Sequence, residues 1–422
     1  MTARPATDVI ARSAIEALRA GVPNRAAIRL LEPDEGALRQ NFLERLRLCD
    51  PALRDDEQPE GIVIAGAFGA GKSHQLGYFS ILAQQENFIV SLIPVSKEIP
   101  LFDPARLFSA AIRAAVVPDV NDDVMTAVMA RLHPNSDRFE ALEYWTTAEV
   151  QAGRLSPLFA ALLHLMPRRT TDPDDHVRMA RFFAGGKLSL TIAKSWLREA
   201  GAARLFDLKP VRETDLALQR LRFAPRLFRA AGYSGWCLLL DETELIARYS
   251  PLQRGRAYGE LTRWLGSDKE ERIPGVVTVA AITDDFPDQM FRQRHDDERI
   301  PPLFEMRGSL RQAATARSGI AWLECRRSHL SAADEAGLRR SLEKIGAIYR
   351  DAYDWIPPKI EIGERLAGKS VRQYVKSWIT IWDIMRLYGE TPVVSTETLA
   401  IDYTEGSEVE NAIERGSEDD AA

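Results

Sequence analysis

Four apolar residues, Ile62 to Ala65, run straight into the segment GAFGAGKSH (Gly66 to His74), after which the apolar spacing becomes helical. No other stretch of the chain restricts the fold as tightly. Gly66, Gly71, Lys72 and Ser73 fall at the spacing G-x-x-x-x-G-K-[ST] of a phosphate-binding loop. Glycines at Gly66, Gly69 and Gly71 let the backbone curl its N–H groups around an anion, and Ala70 adds little bulk. Lys72 then supplies a mobile positive charge, Ser73 a hydroxyl for a magnesium ion, and the first helical turn its unpaired N–H groups. His74, next in line, counts with the loop among the candidate nucleotide-binding residues, with local packing or capping as its other role. The order strand, loop, helix predicts an α/β fold built on a buried parallel sheet.

A second constraint lies far away in sequence. The segment WCLLLDETEL drives an apolar strand into Asp241 and Glu242, at the sheet edge where open α/β folds bind ligands. Asp241 is suited to hold magnesium-bound water, and Glu242 to accept a proton from an attacking water. A helix N-terminus with an acidic first turn is the competing explanation; it accounts for Glu244 but not for the apolar run ending in two acids. A third strand, Val276 to Ile282, ends in Thr283 and Asp284, either of which could sense a terminal phosphate.

Helical patterns predominate between Pro118 and about Ala231, without strand alternation, so this block reads as a helical insertion. Pro104 to Val117 reads as one helix, Phe88 to Val95 as a strand. Beyond Pro301 the chain is mostly helical; Val371, Val375, Trp378, Trp382 and Met385 form one apolar stripe. The expected organisation is an N-terminal helical segment (1–54) packing on the core, a core over 55–300 with its insertion at about 118–231, a C-terminal helical domain over 301–390, and an acidic, largely disordered tail over 391–422.

Among the arginines, Arg372 is placed where a lid could swing it onto a nucleotide, and Arg292, Arg294 and Arg299 could project toward a neighbouring subunit. Arg222, Arg226 and Arg229 share a helix face that could meet nucleic-acid phosphates or be simply solvated. The tail carries nine acidic residues against one basic, Arg415, so the rest of a chain with 61 acidic and 55 basic residues is close to neutral. Net charge therefore neither supports nor excludes DNA. Three widely spaced cysteines suit a reducing compartment, and the N-terminus lacks the apolar core of a signal peptide, so a cytoplasmic location without membrane association is expected.

The segments AIEALRAGVPNRAAIRLL (Ala14 to Leu31), GAFGAGKSHQL (Gly66 to Leu76), VSKEIPLFDPARLF (Val95 to Phe108) and LLLDETEL (Leu238 to Leu245) together resemble the ATP-binding proteins of BREX-type bacteriophage-exclusion systems, a branch of the AAA+ and related P-loop ATPases. The resemblance implies an AAA+-like core binding ATP and Mg²⁺, with a C-terminal helical lid or winged-helix-like domain. It implies that Val22 to Arg25 form part of the wall on the adenine side. It also implies a defence setting with other components, a DNA methyltransferase among them, double-stranded DNA as ultimate substrate, and possible homo-oligomers.

Overall fold

In the computed structural model, residues 6–22, 24–49, 57–118, 123–169, 173–268, 270–331, 334–360 and 370–389 are described. The acidic tail expected at 391–422 lies outside them.

The sheet is built from β1 (Ile62–Ala65), β2 (Phe88–Pro94), β3 (Ala115–Val116), β4 (Gly235–Asp241), β5 (Val276–Ile282) and β6 (Arg327–His329), in the order β3-β2-β4-β5-β1-β6. All neighbours are parallel except β2 and β3. Alternation along each central strand divides the side chains between two cores. Trp236, Leu238 and Leu240 of β4 face one side, and Cys237 and Leu239 the other. Trp236 is tolerated at full burial because its indole N–H donates to Ser91 Oγ at 2.9 Å, and Ser91 in turn donates to Ala111 O at 2.7 Å.

One face is covered by α3 (Gly36–Arg47) and α4 (Lys72–Gln85), joined by the stacked rings of Phe42 and Phe79 at 4.0 Å. The other face carries α5 (Pro104–Arg113), the helices α6 (Val124–Ala130), α7 (Asp137–Gln151), α8 (Pro157–Arg169), α9 (Pro173–Phe183), α10 (Leu190–Glu199) and α11 (Glu213–Ala230), and then α12 (Pro251–Trp264), α13 (Asp296–Glu305) and α14 (Leu310–Cys325). The block expected as an insertion is helical, yet it shares one continuous hydrophobic core with this sheet face. Its last helix, α11, lies directly on β4 and α5.

Three expectations need correction. The helix from Pro104 stops at Arg113, because Ala115 and Val116 turn back to pair antiparallel with Ser91 and Val90. The sheet does not end with β5: Arg327 to His329 pair with β1, so the core continues past residue 300. The N-terminal segment divides: α3 packs on the sheet side, whereas α1 (Ala6–Ala20) joins α15 (Glu335–Tyr353) and α16 (Val371–Tyr388). There Ala14 and Ile15 bury against Ile345, Tyr349, Trp378 and Ile379. The short α2 (Arg25–Leu30) bridges the two, with Ala27 in the helical unit's core and Ile28 in the sheet's. Among the described residues no strand follows β6, so nothing there completes a winged helix.

Candidate functional site

The parallel register brings the C-terminal ends of β1, β4 and β5 level, with Ala65 opposite Ile282 and Leu240 opposite Ala280. The loop after β1 and the turn after β4 therefore open at the same edge, one strand apart. Gly69 and Gly71 take left-handed φ of 76° and 104°, a conformation that side chains resist, and Gly71 caps α4. A cavity of about 890 Å³ lies over this edge. Its floor is the glycine-rich loop with Lys72, Ser73, Asp241 and Glu242; its roof comes from α15 and α16.

Lys72 is buried, and its Nζ donates to Gly66 O at 2.8 Å and Ala67 O at 3.2 Å. Burial lowers its pKa, opposed by the charges of Glu244, Asp241, Asp284 and Asp285. Asp241 accepts the Glu242 N–H at 2.9 Å. Glu242 is a non-glycine residue at φ 55°, exposed, and it turns the chain into the 3₁₀ segment Thr243–Arg248. That turn carries Glu244 inward.

Glu244 is the residue that sequence reasoning left as mere helix-start chemistry. It is 5% exposed, lines the cavity, and its Oε2 meets no partner among the described residues. Burial pushes its carboxyl up to about 7 against the pull of Lys72. Gln75, one turn into α4, is 2% exposed and also lines the cavity, with both amide atoms unpartnered among the described residues. The spacing Asp241-x-x-Glu244 was visible, but only a tight turn after the strand aims the second acid inward.

The remaining expected residues divide. Ser73, Gly69, Ala70 and Gly71 line the cavity. His74 also borders it, but its Nε2 pairs with Leu31 O at 2.6 Å, a local tie between α4 and the end of α2. Val22 is 68% exposed and Arg25 donates to Gln84 Oε1 at 3.0 Å; neither lines the cavity, whose wall there is Leu18, Gly21 and Leu31. The reason is that Val22 precedes α2 and Arg25 opens it, while the buried face of that helix carries Ala27 and Ile28 instead.

Thr283 is buried and Asp284 pairs with His329 Nδ1 at 2.9 Å; neither lines the cavity. Arg372 lines the cavity and its backbone N–H donates to Gly69 O at 3.3 Å. Arg292 pairs with Asp288 at 2.9 Å and Arg294 donates to Ala247 O at 2.9 Å, while Arg299 is exposed.

The three arginines of α11 do not form an open basic face. Arg229 is buried and donates to Cys49 O, Arg222 lies 3.5 Å from Glu149, and Arg226 sits over the Trp145 ring at 5.3 Å. Arg229 is enclosed by protein groups, whereas Arg222 and Arg226 stay partly exposed.

A glycine-rich loop, a buried lysine and two strand-end acids around one cavity define a site compatible with a P-loop nucleotide-binding core. Residues 199–355 match the family described as BREX system ATP-binding protein BrxC/D, which supports the resemblance seen in the sequence. The matched stretch holds Asp241, Glu242, Glu244 and the helix α15, and it starts after the glycine-rich loop, so loop and match are separate lines of support. No curated protein matches the chain, and no solved structure does. Among the described residues no helix is long and apolar enough to cross a membrane.

Proposed function

We propose that the protein binds ATP with Mg²⁺ in the cavity between core and helical unit, hydrolyses it, and acts as a switch in a multi-component, DNA-associated phage-defence system of the BREX type. The observation that carries this reading is the convergence of Lys72, Ser73, Asp241 and Glu242 on one cavity wall. The donor set fits the group: a hydroxyl and a carboxylate suit a hard cation with oxygen ligands, and the loop N–H groups with Lys72 suit a phosphate chain.

In this reading Lys72 exchanges its two loop carbonyls for phosphate oxygens. Ser73 and Asp241 hold the cation, which neutralises phosphate charge when bound. Glu242, exposed at the cavity edge, takes the proton of the attacking water. Arg372 adds positive charge from the lid side. Because α15 and α16 roof the cavity, contacts to the terminal phosphate hold lid and core together until hydrolysis removes them. An oligomer supplying an arginine from a neighbour, and partners including a DNA methyltransferase and double-stranded DNA, belong to the same proposal.

A second reading is an ATP-driven switch acting on protein partners without touching DNA. The engagement of Arg222, Arg226 and Arg229 within the protein favours it. ATP turnover measured with and without duplex DNA over a range of salt separates the two. Salt-sensitive stimulation by DNA supports the first reading, turnover indifferent to DNA the second, and no turnover in either arm refutes the hydrolytic role.

A further inference from the structure

Phe68 is 43% exposed, between Ala67 and Gly69, and lines the cavity. The Arg372 guanidinium lies over its ring, 5.3 Å from the centroid. The same arginine donates its backbone N–H to Gly69 O at 3.3 Å. Its side chain also crosses Gly21 at the end of α1, where an added Cβ would lie 3.4 Å from Arg372 Cδ. Ser370, the cap of α16, is so close to Gly69 that an added Cβ would fall 2.7 Å from its hydroxyl.

We propose that Phe68 is the positioning residue for Arg372: its ring holds the guanidinium at the loop end of the cavity and ties the first turn of α16 to the glycine-rich loop. This rests on the reading of the cavity as a nucleotide site with Arg372 as its lid-side cation.

The choice of partner matters chemically. A carboxylate facing Arg372 would neutralise it, and an incoming anion would have to displace that partner. A ring face attracts the cation through its quadrupole while leaving the charge and the N–H donors available. No carboxylate pairs with Arg372 among the described residues. The contact also joins segments attached to separate cores, since Phe68 lies in the loop that follows β1 and Arg372 in the first turn of α16. Movement of the loop is thereby passed to α16 through this side-chain pair, the Arg372–Gly69 backbone hydrogen bond and the close approach of Ser370 to Gly69.

The test is a double-mutant cycle on the full chain with Phe68→Ala, Arg372→Ala and both, together with Phe68→Tyr and Phe68→Leu. Turnover and binding of a fluorescent ATP analogue are measured alongside hydrogen exchange of residues 371–376 without nucleotide. Phe68→Ala is expected to lower kcat by roughly 2- to 10-fold with little change in KM, in line with one cation–π contact. In the Arg372→Ala background it should cost nothing further. Phe68→Tyr should keep full turnover and Phe68→Leu should lose as much as Phe68→Ala, and Phe68→Ala should speed exchange at the start of α16. Multiplying effects of the two alanines, full activity in Phe68→Leu, or unchanged exchange would each overturn the proposal. If the unmodified protein hydrolyses no ATP, the catalytic reading fails while the exchange measurement still decides the positioning.

Discussion

Lys72 and Glu244 share the buried wall at the loop end of the cavity, each the other's foremost charge partner. Burial acts on them in opposite directions, lowering the lysine pKa and raising the glutamate to about 7. The pair thus sits near the point where the acid exchanges its proton at neutral pH, and its attraction offsets part of the cost of burying both groups.

That arrangement gives a stability signature. Between the ordinary value of 4.5 and about 7 the folded chain keeps a proton on Glu244 that the unfolded chain has released. Stability from this group is therefore full below the lower value, falls as pH rises through the window, and stays low above it, a span on the order of 3 kcal/mol. Glu244→Gln has no such loss. Its melting temperature relative to the unmodified chain should rise from pH 5 to pH 8; a difference independent of pH would show that the carboxyl titrates normally.

The neighbouring acid should behave differently. Glu242 is exposed and free to meet a water, so Glu242→Gln should keep nucleotide affinity and lower phosphate release by roughly 10²- to 10⁴-fold. Lys72→Ala should instead lose binding itself, read by a fluorescent ATP analogue. Equal phosphate release from Glu242→Gln and the unmodified protein would remove Glu242 from the chemistry.

Gly69 and Gly71 both require positive φ, but only the first is crowded. A Cβ at Gly69 would meet Ser370 at 2.7 Å, whereas nothing lies within 4 Å of one at Gly71. Each alanine pays backbone strain of about 1 to 3 kcal/mol, and Gly69→Ala should cost more in urea unfolding. Adding Ser370→Gly should recover the excess at Gly69 and leave Gly71→Ala unaffected.

Away from the cavity, Asp296 is 1% exposed and accepts from Arg254 Nε and Nη2, each at 2.9 Å, and from the Tyr258 hydroxyl at 2.7 Å. Asp296→Ala strands a buried guanidinium and should destabilise by about 3 to 5 kcal/mol. Removing both charges with Arg254→Leu and Asp296→Leu should cost less than the single change. Denaturant midpoints that simply add would contradict this.

The central sheet was readable along the chain because its strands are short apolar runs that end abruptly. Ile62 to Ala65 and Val276 to Ile282 coincide with the strands found, and Lys72 does begin the helix. β6 escaped notice because Arg327, Ser328 and His329 carry no apolar pattern; the edge position beside β1, not hydrophobicity, makes them a strand. β3 escaped for the opposite reason, since Ala115 and Val116 continue the apolar face of the preceding helix.

The candidate site divides along the same line. Lys72, Ser73, Asp241 and Glu242 were visible because each sits at a fixed offset from an apolar strand. Glu244, Gln75 and Phe68 were not, because their importance depends on which way a turn or helix face points once packed.

Local covalent order alone determined where the chain would strand, curl and helix around its glycines and acids, since those preferences act over a few residues. Which distant pieces would meet was decided only by packing. The union of α1 with α15 and α16 and the enclosure of Arg229 depend on buried faces, and the seating of Arg372 on Phe68 on a surface contact, all between segments far apart in the chain.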